Sequence, residues 1–165
     1  MHQPIDLEDY RRSVWDMSGS QTISARTDYN EFFKLRCPLL RQGVHKFKIF
    51  INKMDEDDYI AIGVESFQCA WNYDNEGCTT TTIRYYQEEG QRFSGFESDS
   101  TISFELDLTR GGGTFSASVD DGQKNELFTN MLSALKSEDD SFVPFVSLSK
   151  PSKVTFLGFE DNTQE

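Results

Sequence analysis

Ile102-Ser103-Phe104-Glu105-Leu106-Asp107-Leu108-Thr109 alternates apolar and polar residues without a break. In an extended chain successive side chains point to opposite faces, so this stretch sends Ile102, Phe104, Leu106 and Leu108 to one side and its polar residues to the other. That is a strand with one face buried. Gly111, Gly112 and Gly113 follow, and then Phe115, Ala117 and Val119 alternate with Ser116 and Ser118. Glycine takes positive φ without steric cost, so the triplet is a turn and 102–119 reads as one hairpin. Because the triplet joins two strands and no helix follows it, it is not a phosphate cradle.

The same period extends outward from this hairpin. Phe47, Ile49 and Ile51 alternate with Lys46, Lys48 and Phe50, and Ile60, Ile62 and Val64 alternate with Ala61 and Gly63. Two apolar runs, 142–148 and 154–159, read as further strands, and 21–25 and 80–86 as short ones. Asp121-Gly122 is a favoured hairpin dipeptide. Leu127, Phe128, Met131, Leu132 and Leu135 fall at helical spacing, which predicts one short helix near 126–136, and the polar run 137–141 reads as a solvated loop. Short strands, glycine-rich turns and a single helix predict an all-β fold of two packed antiparallel sheets. Its core should contain Phe47, Ile49, Ile62, Phe104, Leu106, Phe115, Val146 and Phe156.

A chain of 165 residues without a Pro- or Ser-rich linker is expected to be one domain, 1–165, with flexible termini at 1–10 and 160–165. No apolar run approaches the roughly 20 residues that span a bilayer. The net charge of -12 repels phosphate backbones and anionic lipid, so neither nucleic acid nor a membrane is expected as a partner. The first ten residues lack the basic start and apolar stretch of a secretory signal. The cysteines (Cys37, Cys69 and Cys78) are odd in number, and no Asn-x-Ser/Thr acceptor occurs. These marks predict a cytoplasmic protein with reduced thiols.

The inventory for catalysis is thin. His2 lies near the start of the chain and His45 at the head of a strand, where packing is the expected role. No Gly-x-Ser-x-Gly elbow, His-Glu-x-x-His helix or Gly-x-x-x-x-Gly-Lys-Ser/Thr loop occurs. Asp55-Glu56-Asp57-Asp58 gathers carboxylates between two strands but lacks the turn glycine and closing Glu of a calcium loop, and reads as a solvated hairpin tip. No enzymatic activity, cofactor or metal is expected. What remains is a set of loop aromatics, Phe67, Trp71, Tyr73 and the pair Tyr85-Tyr86, of the residue types that bury large area at recognition surfaces.

The order of elements resembles the SPRY domain, a β-sandwich of concanavalin-like jelly-roll type that serves as a protein-recognition module. Gly43-Val44-His45-Lys46-Phe47-Lys48-Ile49 is similar to the family's Gly-x-His-x-Trp-Glu-Val strand, and Ile60-Ala61-Ile62-Gly63-Val64 to its Ile-Gly-Val-Ala strand. The strand ending in Leu106-Asp107, the run from Thr114 to Gly122, and Phe142-Val143-Pro144-Phe145-Val146-Ser147-Leu148 follow in the family's order, with Val154-Thr155-Phe156 closing it. Phe47 stands in place of the family's Trp, Lys48 in place of Glu, and Ser100-Thr101 in place of Gly-Asp. The resemblance implies a non-enzymatic module that binds a protein or peptide through loops at one edge of the sandwich. It implies a role as a targeting subunit or scaffold, working as a monomer or within a larger complex.

On that resemblance the partner-binding residues are Trp71, Tyr73, Phe67, Tyr85 and Tyr86, with Arg26 near a position where some members place a peptide-contacting Arg. Ser149-Lys150-Pro151 replaces the Trp-Gly pair of some peptide-binding members, so an Asn-rich peptide is not implied. An acidic chain favours a partner with a basic surface. A lectin-like sandwich that stacks sugars on exposed aromatics is the alternative. Because neither the cysteines nor the acidic tip has a complete ligand set, the purified protein should carry no stoichiometric zinc and show no calcium-dependent rise in melting temperature beyond a magnesium control. Elemental analysis and a thermal melt check both.

Overall fold

The computed structural model describes residues 5–6, 12–16, 21–25, 31–36, 40–54, 60–68, 81–85 and 97–160. Their strands are β1 (Ile5–Asp6), β2 (Arg12–Asp16), β3 (Gln21–Ser24), β4 (Glu31–Arg36), β5 (Val44–Lys53), β6 (Ile60–Ser66) and β7 (Thr81–Tyr85) in the first half. β8 (Thr101–Asp107), β9 (Thr114–Val119), β10 (Asn125–Thr129), β11 (Phe142–Leu148) and β12 (Lys153–Phe159) complete them. They form two sheets, one in the order β1-β2-β4-β11-β6-β7 and the other β10-β9-β8-β5-β12-β3. Pairing is antiparallel except between β2 and β4. The expected two-sheet sandwich is therefore present, with one parallel pair that alternation does not reveal. Among the described residues no helix is long and apolar enough to cross a membrane.

The two sheets bury their faces differently. In β8 the pattern alternates strictly, with Ile102, Phe104 and Leu106 buried and Ser103, Glu105 and Asp107 partly open. In β6 and β11 every residue is buried, so the outward positions Ala61, Glu65, Val143, Phe145 and Ser147 are covered as well. A strand enclosed on both sides reads as a near-continuous apolar run, which is how Phe142–Leu148 looks in the sequence. The inner faces share one core that includes all eight residues expected there.

Four rings tie the second sheet together. Phe47 stacks on Phe104 at 5.0 Å, Phe104 on Phe115 at 5.5 Å, and Phe47 meets Phe156 at 5.7 Å. In β12 an extra residue shifts the register between Phe156 and Phe159, at Gly158 with φ 99°. The bulge leaves Leu157 exposed and swings Phe159 back to the core side, edge-on to Phe47 at 5.5 Å.

Two local expectations are corrected and one is narrowed. The short helix expected near 126–136 is present as one 3-10 turn, Met131–Ala134, and the first half of that span is strand β10. A register shift between Glu126 and Phe128 brings both Leu127 and Phe128 toward the core, and the turn then adds Met131, so a bulge and a turn together imitate helical spacing. The turn sits against the glycine triplet, where Met131 N–H donates to Gly113 O at 3.1 Å. A Cβ on Gly113, already at φ 99°, would lie 2.8 Å from Leu108 Cδ2, so the site demands glycine for space as well as conformation.

The β9–β10 turn is offset by one residue from the expected dipeptide. Asp120 (φ 51°) and Asp121 (φ 61°) take the left-handed conformations, and Gly122 N–H closes the turn on Val119 O at 2.9 Å. Asp120 is used twice, because its Oδ1 also accepts from Thr101 N–H at 2.8 Å. In the run 137–141, Ser137 to Asp139 are exposed as expected, but Asp140 is buried.

Phe104 is 2% exposed between two stacked rings. Its replacement by Ala should destabilise the protein by about 3–5 kcal/mol. Urea titration measures this; a loss below about 1 kcal/mol would mean that the ring is not in the core.

Candidate functional site

Strand β6 ends at Ser66, and the turn that follows, Phe67 and Gln68, precedes Trp71 and Tyr73 in the sequence. This exit is held by charged groups that reach it from distant parts of the chain. Lys34 lies on β4, two strands away across β11, and points to the same outward face as Glu65. Its Nζ donates to the carbonyl oxygens of Ser66 and Phe67, each at 3.1 Å. The ammonium lies 3.9 Å from Glu65 Oε1 and 5.8 Å from the centroid of the Phe67 ring. At 3.9 Å the carboxylate balances the charge while the carbonyls take the protons.

Asp140 holds the other side of the turn. Its Oδ1 accepts from Gln68 N–H at 3.0 Å and from Ser141 N–H at 2.8 Å. Its Oδ2 accepts from Lys136 N–H at 2.8 Å and from the Ser66 hydroxyl. The Phe67 N–H donates to Ser141 O at 2.9 Å. The loop that presents Asp140 is itself clamped by Arg41, whose Nη1 donates to the carbonyls of Glu138 and Asp140. Ser137 Oγ bonds to Gln68 Oε1 at 3.1 Å, a second link between loop and turn.

Burial governs the Lys34 ammonium, and hydrogen bonding the Asp140 carboxylate. Lys34 is 1% exposed, and loss of hydration pushes its pKa down from 10.5 to about 8 against the attraction of Glu65 and Asp140. Burial by itself raises the Asp140 pKa, but the hydrogen bonds from Ser66, Lys136, Gln68 and Ser141 outweigh it and hold the carboxyl below its ordinary value. Both side chains are charged at neutral pH. The donors and acceptors of the two groups are turned on one another and on the turn between them.

Of the residues expected to bind a partner, Phe67 is placed at this exit, half-buried, with its backbone bonded on both sides. Tyr85 ends β7 and pairs with Ile60 at the opposite end of β6 from Phe67; its side chain lies outside the described residues. Trp71, Tyr73, Tyr86 and Arg26 also lie outside the described residues, as do the acidic tip 55–58 and the three cysteines. His45 is half-buried at the start of β5, with Nε2 2.6 Å from Gln42 O, in keeping with a packing role. Among the described residues no group of His, Cys, Asp and Glu could hold a metal ion.

Lys34, Asp140 and Arg41 were not among the expected site residues. A lysine in the middle of Phe32-Phe33-Lys34-Leu35 is the one local hint, since a charge inside an apolar strand needs a partner. Asp140 gives no such hint, because in sequence it is one acid among three.

No family model and no curated protein matches the chain. Among solved structures it is similar to the SPRY domain of human HERC1, with 15% identity and a TM-score of 0.61 over 88% of this chain and 91% of that one. It is also similar to the catalytic domain of a GH131 β-glucanase from Podospora anserina, with 12% identity and a TM-score of 0.46 over 88% of this chain and 72% of that one. A third is Xenopus laevis galectin-Ib, with 16% identity and a TM-score of 0.38 over 86% of this chain and 98% of that one. At these identities the likeness is one of fold, and the fold is that of a SPRY domain.

The Lys34 shift has a definite consequence for stability. Between about pH 8 and 10.5 the unfolded chain keeps the Lys34 proton while the folded protein has lost it, so unfolding takes up a proton. Stability contributed by this group therefore grows with pH across that window, by roughly 2–3 kcal/mol on reaching pH 10. Urea titrations of the wild type and Lys34→Met should diverge in favour of the wild type from pH 7 to pH 10. Parallel curves would show that Lys34 is not buried as a cation.

Proposed function

We propose that the chain is a protein-interaction module that binds a protein or peptide through the edge of the sandwich reached by the exit of β6. The observation that carries this reading is the turn Ser66–Gln68, whose backbone is held by Lys34, Asp140 and Ser141 immediately before the densest run of loop aromatics. A recognition segment that starts from a fixed point loses less freedom on binding, and so retains more of its contact energy. The SPRY-domain fold supports the same reading, since that resemblance implies recognition by edge loops. Trp71 and Tyr73 are the central contacts in this proposal, with Phe67 beside them at the exit; Tyr86 and Arg26 are further contacts, as is Tyr85 from the opposite end of β6.

The module uses no cofactor and catalyses no reaction. It forms a single domain and acts in the cytoplasm, as a monomer or as a targeting or scaffold subunit of a larger assembly. The net charge of -12 steers it toward a partner with a basic surface, in which role the acidic tip at 55–58 affects association rate more than affinity.

Affinity purification with mass spectrometry, comparing wild type with Trp71→Ala, identifies the partner and tests the edge together. Trp71→Ala should keep the melting temperature and weaken binding of the recovered partner by about 2 kcal/mol or more. Neutralising Asp57 and Asp58 should flatten the salt dependence of association with a smaller change in affinity. Unfolding by Trp71→Ala would make the residue part of the core, and unchanged binding would place the contact elsewhere. Capture of glycans on an array, with no protein recovered, would favour the lectin reading.

A further inference from the structure

Buried opposite charges are poor stabilisers, because apolar residues of the same volume usually serve a core as well or better. Their best-attested use is to fix one geometry among several. Lys34 and Asp140 spend their hydrogen bonds in a way that fits such a use. Lys34 takes the two successive carbonyls of Ser66 and Phe67; Asp140 takes the Ser66 hydroxyl and the Gln68 N–H. The turn is thus gripped from its acceptor side by β4 and from its donor side by the loop before β11. A turn needing only to reverse the chain satisfies itself locally, with an Asx or Ser side chain two residues away. Here the holding groups come from 32 and 72 residues away in sequence.

We propose that Lys34 and Asp140 are positioning residues of the interaction edge: by clamping Ser66–Gln68 from both sides they set the direction in which the chain leaves toward Trp71 and Tyr73, without themselves touching the partner. The bearing on binding rests on the reading that this edge carries the partner contact. The clamp itself does not. An open turn would leave the edge competent for only a fraction of the time, and the apparent association rate would fall to that fraction of its value while the dissociation rate of the formed complex stayed the same. Loss of a contact residue gives the reverse pattern.

Amide hydrogen exchange on the free protein tests the clamp directly. Lys34→Met and Asp140→Asn should raise exchange at Phe67, Gln68, Lys136 and Ser141 at least tenfold while leaving the amides of the β8–β9 hairpin within a factor of two. Ser66→Ala, which removes one hydrogen bond and no charge, should raise exchange at Gln68 alone by a smaller factor, and keeps the test decisive if either charge variant fails to fold. Unchanged exchange at these amides, or a rise matched in β8–β9, would overturn the clamp. With the partner recovered by the wild type, Lys34→Met should slow association in proportion to the fraction of molecules whose turn remains closed, and leave dissociation unaltered. If exchange rises locally but Lys34→Met binds as the wild type does while Trp71→Ala does not, the positioning role is wrong and the edge is right. If Trp71→Ala binds normally, the edge is wrong, and the exchange result alone decides the clamp.

Discussion

Phe156, Phe47, Phe104 and Phe115 form a row of rings across four adjacent strands, and the register of the second sheet depends on it. Side chains alternate along a strand, so a slip of one residue would exchange each ring for its neighbour. Phe47 would give way to Lys46 or Lys48, and Phe104 to Ser103 or Glu105. Each exchange buries a group that water holds more strongly than any core can, so the four strands lock one another. The bulge at Gly158 is subordinate to the row: with the extra residue, Phe159 joins Phe47 and Phe156 instead of facing out.

The first sheet has no such polarity to guide it. With β6 and β11 buried on both faces, a slip would replace one apolar residue by another at most positions. Charge supplies the missing constraint. Lys34 on β4 and Glu65 on β6 reach toward each other over β11, passing the positions of Phe145 and Val143 that pair with them. Moving either strand by one residue would send one of the charges to the inner face, away from its counter-ion. This is the registry role in which a buried ion pair is best understood. The exposed pair Lys124–Glu105, at 3.1 Å, carries no comparable burden, because water can replace either partner.

This difference also explains what the sequence could and could not reveal. Strands with one open face announce themselves by alternation, and β5, β8 and β9 were legible on that ground. β11 and β12 were legible as apolar runs, and the eight expected core residues all lie in the core. β4 was not: Glu31–Arg36 mixes charged and aromatic residues, and its partners β2 and β11 lie far away in sequence. The short helix is briefer than its spacing suggests because apolar spacing records only which side chains reach the core, and a bulge followed by a 3-10 turn brings them there as a longer helix would. The site was half legible. Phe67 could be marked by its residue type and place after the Ile-Gly-Val strand, whereas the groups that hold it are joined by tertiary contacts that no local pattern encodes.

A TM-score of 0.61 at 15% identity with the HERC1 SPRY domain is what this division of labour would produce. The ring row and the covered strands require apolar residues of suitable size at alternating or continuous positions, and many sequences meet that requirement. The fold can therefore persist while almost every identity changes. Recognition has no such latitude, because a partner meets particular side chains at particular angles. The clamp at Ser66–Gln68 stands between the two regimes. Its groups are buried and belong to the packing of the first sheet, yet what they fix is the turn at the exit of β6. On the proposed reading, a change at Trp71 alters what is bound, whereas a change at Lys34 alters how well the segment after Gln68 is presented.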